Sequence, residues 1–239
     1  MCYAFPMEKK RLSKALASAG IASRRACEEL IFEGKVTVNG EIILKPETHV
    51  NLGEDDVRFE DQRIRNEQEK IYYILNKPTG CICSNKPMDR KKLVIDLFPP
   101  EKRLFTVGRL DRDTTGLIIA TNDGDFAQRV IHPRANIEKE YLVKTSQEVM
   151  HEHLQAISKG AFVDGVYVRP VSVRKVRRGT LKVTVKEGRK REVRVFVQKA
   201  GLSILSLARI RIGGLVLGTL VEGDYREMQE HEKEAIFKN

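Results

Sequence analysis

The chain of 239 residues is 41% hydrophobic, which is enough to bury one large core or two smaller ones. Its 43 Lys and Arg residues against 33 Asp and Glu residues give a net charge of +10, so a polyanionic partner is expected, with nucleic acid ahead of an acidic membrane surface. No apolar run approaches the roughly 20 residues of a membrane-spanning helix, and the opening MCYAFPMEKK lacks the apolar core of a signal peptide, which together predict a cytoplasmic protein.

Two short helices are the first predicted elements. From Arg11 onward, apolar residues recur at helical spacing as far as Gly20. Ser23 is the predicted cap of a second helix, which ends at Gly34. Both helices are basic, because residues 9–25 contain six Lys or Arg residues and no carboxylate.

A hairpin follows these helices. Asn39 and Gly40 stand between alternating apolar residues, which predicts a type I′ turn, and Val57–Phe59 is predicted as a further strand. The stretch RLSKALASAGIASRRACEELIFEGKVTVNGEII resembles the small RNA-binding domain named after ribosomal protein S-four. The resemblance implies that a basic helical face grips RNA phosphates, which supply affinity but little sequence choice. The residues that it assigns to this face are Arg11, Lys14, Arg24, Arg25 and Lys35.

A polar stretch at residues 62–70, QRIRNEQEK, is predicted as a linker because it has no periodic apolar residues. A β-rich apolar run at residues 71–75 opens the next domain and is predicted to break at Asn76. The KPTG that follows predicts a tight turn. We expect Lys77 in this turn to contact RNA, although a simple turn with an exposed lysine fits the residues equally well.

The stretch at residues 106–124, TVGRLDRDTTGLIIATNDG, holds a polar loop between two apolar segments that are predicted as buried strands. Gly108 and Gly116 permit backbone angles that other residues resist, and the residues between them supply charges and hydroxyls. A solvated hairpin tip is the alternative that these residues alone leave open.

This loop resembles a family signature. GRLDxxTTGL is similar to the motif of pseudouridine synthases of the RsuA and RluB type, which isomerise uridine in ribosomal RNA and carry their catalytic aspartate in it. The resemblance makes Asp111 the catalytic residue and implies that Arg109 helps to hold the extruded nucleotide. Arg112 and Asp113 stay outside the catalytic set.

Residues 125–132 are predicted as a helix with Ile131 buried, and residues 137–145 as a strand. In that strand Lys139-Glu140-Tyr141 matches a KxY element, whose aromatic ring lies against the target base in the family. Tyr141 is therefore an implied catalytic residue, whereas the residues alone favour a tyrosine packed in a sheet. The later predicted elements are a helix at residues 148–159 and strands within residues 162–186, 203–212 and 215–221.

Glu187 is predicted to open a helix whose first turns are crowded with cations. Because cations oppose the dipole at a helix N-terminus, a polyanion or carboxylate partner is expected, and Arg189 and Arg191 are predicted RNA contacts. EGRxREVR resembles a third family element, whose last arginine, Arg194 here, pairs with the catalytic aspartate. Relatives usually continue with another arginine where this chain has Val195, so a phosphate contact is expected to be missing there.

The cysteines predict no metal site. Cys2, Cys27, Cys81 and Cys83 form no CxxC pair and have no nearby His at zinc-ligand spacing, so reduced thiols are expected. No Gly-rich phosphate loop or HExxH motif appears, and neither a metal nor an organic cofactor is predicted.

The predicted fold is α+β. After a leader at residues 1–10, a small helical and hairpin RNA-binding domain occupies residues 11–61. A mixed α/β pseudouridine synthase domain with a largely antiparallel sheet occupies residues 71–239. The predicted protein is a monomer that acts, away from any membrane, on ribosomal RNA or a ribosomal subunit assembly intermediate.

The predicted reaction is the isomerisation of one uridine after extrusion of its base from the stack. Two roles are open to Asp111, attack on the ribose or removal of a proton from it, and both need an ionised carboxylate. A binding-only assembly protein would not need Asp111, Tyr141 and Arg194 together. A metal-dependent nuclease could use Asp111 and Asp113, but no supporting ligands are evident near them. The sequence does not indicate which ribosomal RNA or which uridine is the target.

Overall fold

The structure is a computed structural model that describes residues 9–64, 68–86, 89–101 and 103–238. The chain divides into two compact units between residues 70 and 71. Each unit has a hydrophobic core of its own. The predicted leader lies outside the described residues except at its end, where Lys10 belongs to a strand.

The first unit combines two helices with short antiparallel strands. Its helices are α1 (Leu12–Ser18) and α2 (Arg24–Phe32). Its strands are β1 (Lys10–Arg11), β2 (Val36–Val38), β3 (Glu41–Ile42), β4 (His49–Val50), β5 (Val57–Phe59) and β6 (Gln62–Arg63). Strands β3, β2, β5 and β6 form an antiparallel sheet in that order, and β1 pairs with β4.

Caps and turn residues account for these elements. The Ser23 hydroxyl accepts a hydrogen bond from the Ala26 N–H at 3.1 Å, so Ser23 caps α2 as predicted. Asn39 and Gly40 have φ angles of +53° and +87°, as the predicted type I′ turn between β2 and β3 requires.

The connection between the units begins later than predicted. Gln62–Arg63 form β6, which pairs with β5, and Ile64 is buried in the core of the first unit. The side chains of Gln62 and Arg63 are exposed, so this edge strand has no apolar period by which the sequence could have revealed it. Residues 65–67 of the predicted linker lie outside the described residues.

The second unit is built on a sheet of nine strands within the described residues. The strands of this unit are β7 (Tyr72–Lys77), β8 (Phe105–Thr106), β9 (Thr115–Thr121), β10 (Lys139–Thr145), β11 (Ala161–Val163), β12 (Val166–Val168), β13 (Ser172–Arg177), β14 (Thr180–Val185), β15 (Ile204–Ile212), β16 (Leu215–Val216) and β17 (Tyr225–Glu227). Seven of them lie in the order β13-β14-β10-β15-β9-β7-β17, while β8 pairs with β9 and β16 with β15. Among these pairs β15 and β9 alone are parallel, so the sheet is largely antiparallel, as predicted. Strands β11 and β12 form a separate hairpin.

Helices cover both faces of this sheet. They are α3 (Gly124–Ile131), α4 (His151–Lys159), α5 (Glu192–Lys199) and α6 (Glu230–Ala235), with 3₁₀ turns at Val94–Leu97 and Pro133–Ala135. Leu75 and Ile118 pack in the same core as Phe196 of α5, whereas Ile74 packs in the core that contains Phe126 of α3. Adjacent residues of one strand point to opposite faces, so residues 73–75 of β7 and 117–120 of β9 are buried and apolar at consecutive positions. No helix in the described part of the chain is long and apolar enough to cross a membrane.

Two helices begin later than predicted. Helix α5 starts at Glu192 rather than Glu187, because Gly188 and Arg191 have φ angles of +80° and +56°, which a right-handed helix does not contain. The cations before Glu192 therefore lie in a loop. Helix α4 likewise starts at His151 rather than at residue 148.

Other differences from the prediction concern long-range packing. Strand β7 continues through Lys77 instead of breaking at Asn76, because it stays paired with β9 as far as Gly116. Ile131, which was predicted to be buried, is 48% exposed at the end of α3. Strand β17 and helix α6 were not predicted.

The parallel pairing of β9 with β15 depends on one glycine. Gly116 has a φ of +101°, and a Cβ atom there would collide with the backbone carbonyl and amide of Arg209. The loop that precedes β9 is thereby brought beside β15, and residues from both can line one site.

Candidate active site

A cleft in the second unit collects residues from the loop before β9, from β10, β14 and β15, and from the start of α5 with the loop before it. Its lining contains five cations, Arg109, Arg189, Lys190, Arg191 and Arg194. The carboxylates in the lining are two, Asp111 and Glu192. The cleft therefore suits an anionic ligand.

The three predicted catalytic residues meet in this cleft. Asp111, Tyr141 and Arg194 all line it, although they come from three separate elements. The Asp111 side chain is 30% exposed and that of Arg194 is 8% exposed. A reachable carboxylate thus faces a nearly buried guanidinium.

Lys77 fixes the loop that carries Asp111. Its side chain is fully buried, and its Nζ donates to the carbonyl oxygens of Pro78 at 2.9 Å, Thr114 at 2.9 Å and Arg112 at 3.3 Å. Burial lowers the pKa of Lys77 below its ordinary 10.5. The predicted RNA contact at Lys77 is wrong for this conformation, because its ammonium is directed into the fold.

Further backbone contacts hold the same loop. The Gly80 N–H donates to the Arg112 carbonyl at 2.8 Å, and the Leu110 N–H contacts Cys83 Sγ at 3.4 Å. The Thr114 N–H donates to the Asp111 carbonyl at 3.1 Å, which closes a turn around Asp111. Asp111 is therefore mounted on a rigid support.

Arg194 contacts both acidic residues of the loop. Its Nε lies 3.9 Å from Asp111 Oδ2, and its Nη2 lies 3.1 Å from Asp113 Oδ2. Burial lowers the pKa of Arg194 below its ordinary value, and the neighbouring charge of Asp113 opposes that shift. The predicted pairing of Arg194 with Asp111 is present as a long ion pair, while the shorter one involves Asp113.

Asp113 and Thr114 are site residues that the sequence did not identify. Arg194 Nη2 also donates to the Asp113 carbonyl and the Thr114 hydroxyl, both at 3.0 Å. The sequence signal for these two residues was the run of polar residues between Gly108 and Gly116. Nothing in that run indicates which of its residues contacts an arginine 80 residues away.

Glu192 organises the cationic loop before α5. Its carboxylate accepts the N–H groups of Gly188 and Arg189, both at 2.9 Å. Burial raises the pKa of Glu192, and these two hydrogen bonds oppose the rise. The bonds place Arg189 and Arg191 at the cleft.

Tyr141 takes part in both the core and the cleft. It lies in β10 between β14 and β15, is 8% exposed and belongs to the main core of the second unit. It also lines the cleft. The position of Tyr141 is therefore compatible with both expectations from the sequence, a tyrosine packed in a sheet and a tyrosine at the site.

Lys139 and Arg209 add further positive charge next to the cleft. The Lys139 Nζ donates to the Lys186 carbonyl at 2.7 Å, and burial together with the charge of Arg209 lowers the pKa of Lys139 to about 8. Arg209 is 5% exposed and donates through Nε to the Leu117 carbonyl at 2.8 Å. The sequence analysis assigned no role to either cation, although Lys139 belongs to the matched KxY element.

The other predicted RNA contacts of the second unit lie at the surface of the cleft. Arg109 and Arg191 are exposed, and Arg189 is half-buried with its Nε 2.6 Å from Glu187 Oε2. Val195 is partly buried against the main core.

The five predicted phosphate contacts of the first unit are accessible. Arg11, Arg24, Arg25 and Lys35 are exposed, and Lys14 is half-buried. Arg24 pairs with a carboxylate of Glu28 at 3.6 Å, and Lys35 pairs with Glu33 at 2.8 Å. The hydrogen bond to Glu33 raises the pKa of Lys35.

In the described ranges, no group of three or more His, Cys, Asp or Glu side chains is placed to hold a metal ion. Cys81 and Cys83 are free thiols, Cys27 is buried, and Cys2 lies outside those ranges.

Comparison with protein families identifies both units. A family model described as RNA pseudouridylate synthase matches residues 71–199, and a model of the S4 domain matches residues 10–57. Both resemblances found in the sequence are thereby confirmed.

Named relatives cover nearly the whole chain. Ribosomal large subunit pseudouridine synthase B of Bacillus subtilis is 35% identical over 93% of this chain and 93% of its own length. Ribosomal small subunit pseudouridine synthase A of Haemophilus influenzae is 32% identical over 95% of this chain and 100% of its own length. A chloroplastic protein of Arabidopsis thaliana, provisionally named a ribosomal large subunit pseudouridine synthase, is 44% identical over 98% of this chain, which spans 62% of that protein.

The fold also matches an experimental structure. A crystal structure of a pseudouridylate synthase superposes with a TM-score of 0.68 at 32% sequence identity. The match covers 95% of this chain and 99% of the other.

The contacts of Lys77 predict the effect of removing its ammonium. Lys77→Met keeps the length of the side chain but leaves the carbonyls of Pro78, Arg112 and Thr114 without their shared donor. We expect the free energy of unfolding to fall by about 1–3 kcal/mol, and turnover to fall more than RNA affinity. Urea denaturation and steady-state kinetics measure the two effects. Lys91→Met, at an exposed lysine, is the control, and equal stability of the two variants would contradict the role of Lys77.

The lowered pKa of Lys139 predicts a pH dependence of stability. The folded protein holds this ammonium at a pKa of about 8, against 10.5 for the ordinary side chain. Between these values the unfolded chain binds more protons, so the stability of the wild type should rise with pH relative to Lys139→Met. Urea denaturation over this pH range measures the difference. Lys144→Met, an exposed site on the same strand, keeps Lys139, so its stability should follow that of the wild type over this pH range. Parallel curves for Lys139→Met and the wild type would refute the prediction.

Proposed function

The chain belongs to the RNA pseudouridylate synthase family, the enzymes that isomerise uridine to pseudouridine in RNA, and we propose that it modifies ribosomal RNA with Asp111 as its catalytic residue. One observation carries this proposal. Asp111 lies 3.9 Å from a nearly buried arginine, in a cation-lined cleft whose lining residues, apart from Leu207, are among those that the family model matches.

The names of the relatives support ribosomal RNA as the substrate. The proteins of Bacillus subtilis and Haemophilus influenzae are named for the large and the small ribosomal subunit respectively. Ribosomal RNA is the substrate class that fits both names. The first unit supports a structured RNA partner, since it matches the S4 domain and carries exposed cations. Cytoplasmic location and a monomeric state stay predictions.

The reaction is internal to the substrate. The bond from the ribose to the uracil nitrogen breaks, the base turns, and a bond from the ribose to uracil C5 forms. C5 then loses its proton and the freed nitrogen gains one, so the product is an isomer of the substrate. Asp111 acts on the ribose in this scheme, either by attack or by removal of a proton. In both cases the carboxylate must be ionised, and the guanidinium of Arg194 lies 3.9 Å from it.

Arg194 also positions the loop in this proposal. Its hydrogen bonds to the Asp113 carbonyl and to Thr114 tie the loop to α5, so Asp111 and the cationic residues before α5 stay together. Such preorganisation lowers the cost of bringing the ribose to the carboxylate.

The target base has to leave its stack to reach Asp111. Extrusion costs about a few kcal/mol, which cationic contacts to the backbone can offset. Tyr141 is the aromatic residue of the cleft and stacks on the extruded base, while the exposed guanidinium of Arg109 holds the nucleotide.

The two alternative functions fit the site less well. A binding-only protein gives no reason for a carboxylate inside a cleft made for a polyanion, because such a carboxylate weakens binding. A metal-dependent nuclease would gather carboxylates around an ion, whereas Asp111 and Asp113 are both within ion-pair distance of Arg194.

Removal of the Asp111 charge should separate binding from chemistry. Asp111→Asn keeps the shape of the side chain, so we expect RNA affinity near that of the wild type and turnover reduced by about 10⁴-fold or more. The assay is release of tritium from C5 of labelled uridine in a ribosomal RNA transcript. Glu222→Gln, a matched change outside the cleft, should stay active. Substantial turnover by Asp111→Asn would defeat the catalytic assignment.

The first unit should act on phosphates. Arg24→Ala together with Arg25→Ala should weaken binding of all RNA sequences alike and reduce the salt slope by about 0.7 for each lost contact. Titrations of two unrelated RNAs over a salt series measure both quantities. The control is Arg58→Ala with Arg63→Ala, because Asp56 already pairs with both of these arginines at 2.9 Å. An equal loss of RNA affinity in the control pair would mean that the effect comes from net charge alone.

A further inference from the structure

The carboxylate of Asp113 lies between two arginines of the cleft. Its Oδ2 is 3.1 Å from Arg194 Nη2, and its Oδ1 is 3.7 Å from Arg191 Nη1. The Asp113 side chain is 53% exposed, although its partner Arg194 is nearly buried. An exposed carboxylate thus pairs with two guanidinium groups that line a cleft where cations predominate.

Arg194 does not need this carboxylate to keep its position. Nη2 carries two hydrogens, and the Asp113 carbonyl and the Thr114 hydroxyl, both at 3.0 Å, can accept both of them. If the Asp113 side chain turned away, these two acceptors would remain. An exposed ion pair contributes little to stability, so its separation costs little.

The other side of the same guanidinium has an unmet hydrogen bond. Arg194 Nε is buried and has no hydrogen-bond partner among the described residues. The Asp111 Oδ2 lies 3.9 Å from it, which is too long for a hydrogen bond. A small approach of Asp111 would satisfy this donor, and an unsatisfied buried donor favours that approach.

We propose that Asp113 occupies a phosphate site between Arg191 and Arg194, and that a backbone phosphate of the substrate displaces it when RNA binds. The inference rests on the proposed function, since it requires RNA in the cleft. A phosphate presents the same pair of anionic oxygens as a carboxylate, and arginine binds both groups. Asp113 therefore holds the site in the free protein and competes with RNA for it.

Displacement changes the surroundings of the catalytic residue. In the free protein Arg194 divides its charge between two carboxylates, with that of Asp113 closer. Once a phosphate has replaced Asp113 on the Nη side, the Nε side is left to Asp111. The pair of Arg194 and Asp111 closes only after the RNA backbone has reached its place.

The test compares affinities for a short fluorescein-labelled oligouridylate, measured by anisotropy on the full chain. Asp113→Asn should bind about two- to fivefold more tightly than the wild type, because the phosphate no longer has to displace a carboxylate. Asp113→Ala should also bind more tightly than the wild type, which would show that the gain does not depend on the asparagine side chain.

Glu222→Gln is the matched control for loss of one negative charge. Both Asp113 and Glu222 act electrostatically on Lys77, and a glutamine can keep the contact of Glu222 with the Thr79 N–H. Its affinity should change less than about twofold. In an Arg191→Gln background the gain from Asp113→Asn should shrink, whereas an effect of net charge would stay the same.

The outcomes are distinct. A gain for both Asp113 variants beyond that of Glu222→Gln supports the inference, and an equal gain or weaker binding overturns it. If the wild type forms no pseudouridine in ribosomal RNA, the proposed function fails. If the wild type is active and the Asp113 variants bind like Glu222→Gln, this inference fails alone.

Discussion

The arrangement of the site depends on a single buried cation, Lys77. Strand β7 delivers its Nζ beneath the loop before β9, where three backbone carbonyls accept from it. Two of these carbonyls belong to Arg112 and Thr114, on either side of Asp113, so one ammonium fixes the part of the loop that meets Arg194. Burial disfavours a charged lysine, and the carbonyl contacts offset that cost. The loop that carries Asp111 is therefore stabilised from inside the fold, which leaves its outer side chains available to a ligand.

The site places carboxylates of different accessibility around one arginine. Arg194 is nearly buried, Asp111 is 30% exposed and Asp113 is 53% exposed. A ligand that approaches from solvent meets Asp113 with the least resistance, and Asp111 stays behind it in a cleft of positive charge. In the proposed function, this order of exposure lets one arginine serve both a binding step and a chemical step without a change in the backbone.

Local patterns in the sequence predicted most of the fold, and the errors occurred where distant residues decide the structure. Ser23 and the pair Asn39-Gly40 act within a few residues of themselves, so their cap and turn were predictable. Lys77 was misassigned because the adjacent proline signals a turn, whereas its burial depends on carbonyls 35 and 37 residues away. The start of α5 was misplaced for a related reason, since Glu192 accepts the preceding N–H groups and closes a loop in place of a helical turn.

The candidate site was predictable only through its resemblance to a family. Asp111, Tyr141 and Arg194 are far apart in the sequence, and each taken alone has an ordinary structural explanation. The sequence analysis did not identify Asp113 as a site residue, because its contacts with Arg191 and Arg194 are not indicated by any local spacing.

Buried cations in and beside the cleft lower the stability of the folded protein. Burial lowers the pKa of Lys139 and of Arg194, so the folded state holds two cations in or beside the cleft in surroundings that disfavour their charge. Arg209 lies close enough to Lys139 to lower its pKa further. A protein selected for stability alone would replace such cations by apolar residues or pair each with a carboxylate. A polyanion that enters the cleft relieves this repulsion, so the binding energy of RNA and the stability of the site come from the same charges. The net charge of +10 therefore includes buried cations that lower the stability of the folded protein until an anionic ligand binds.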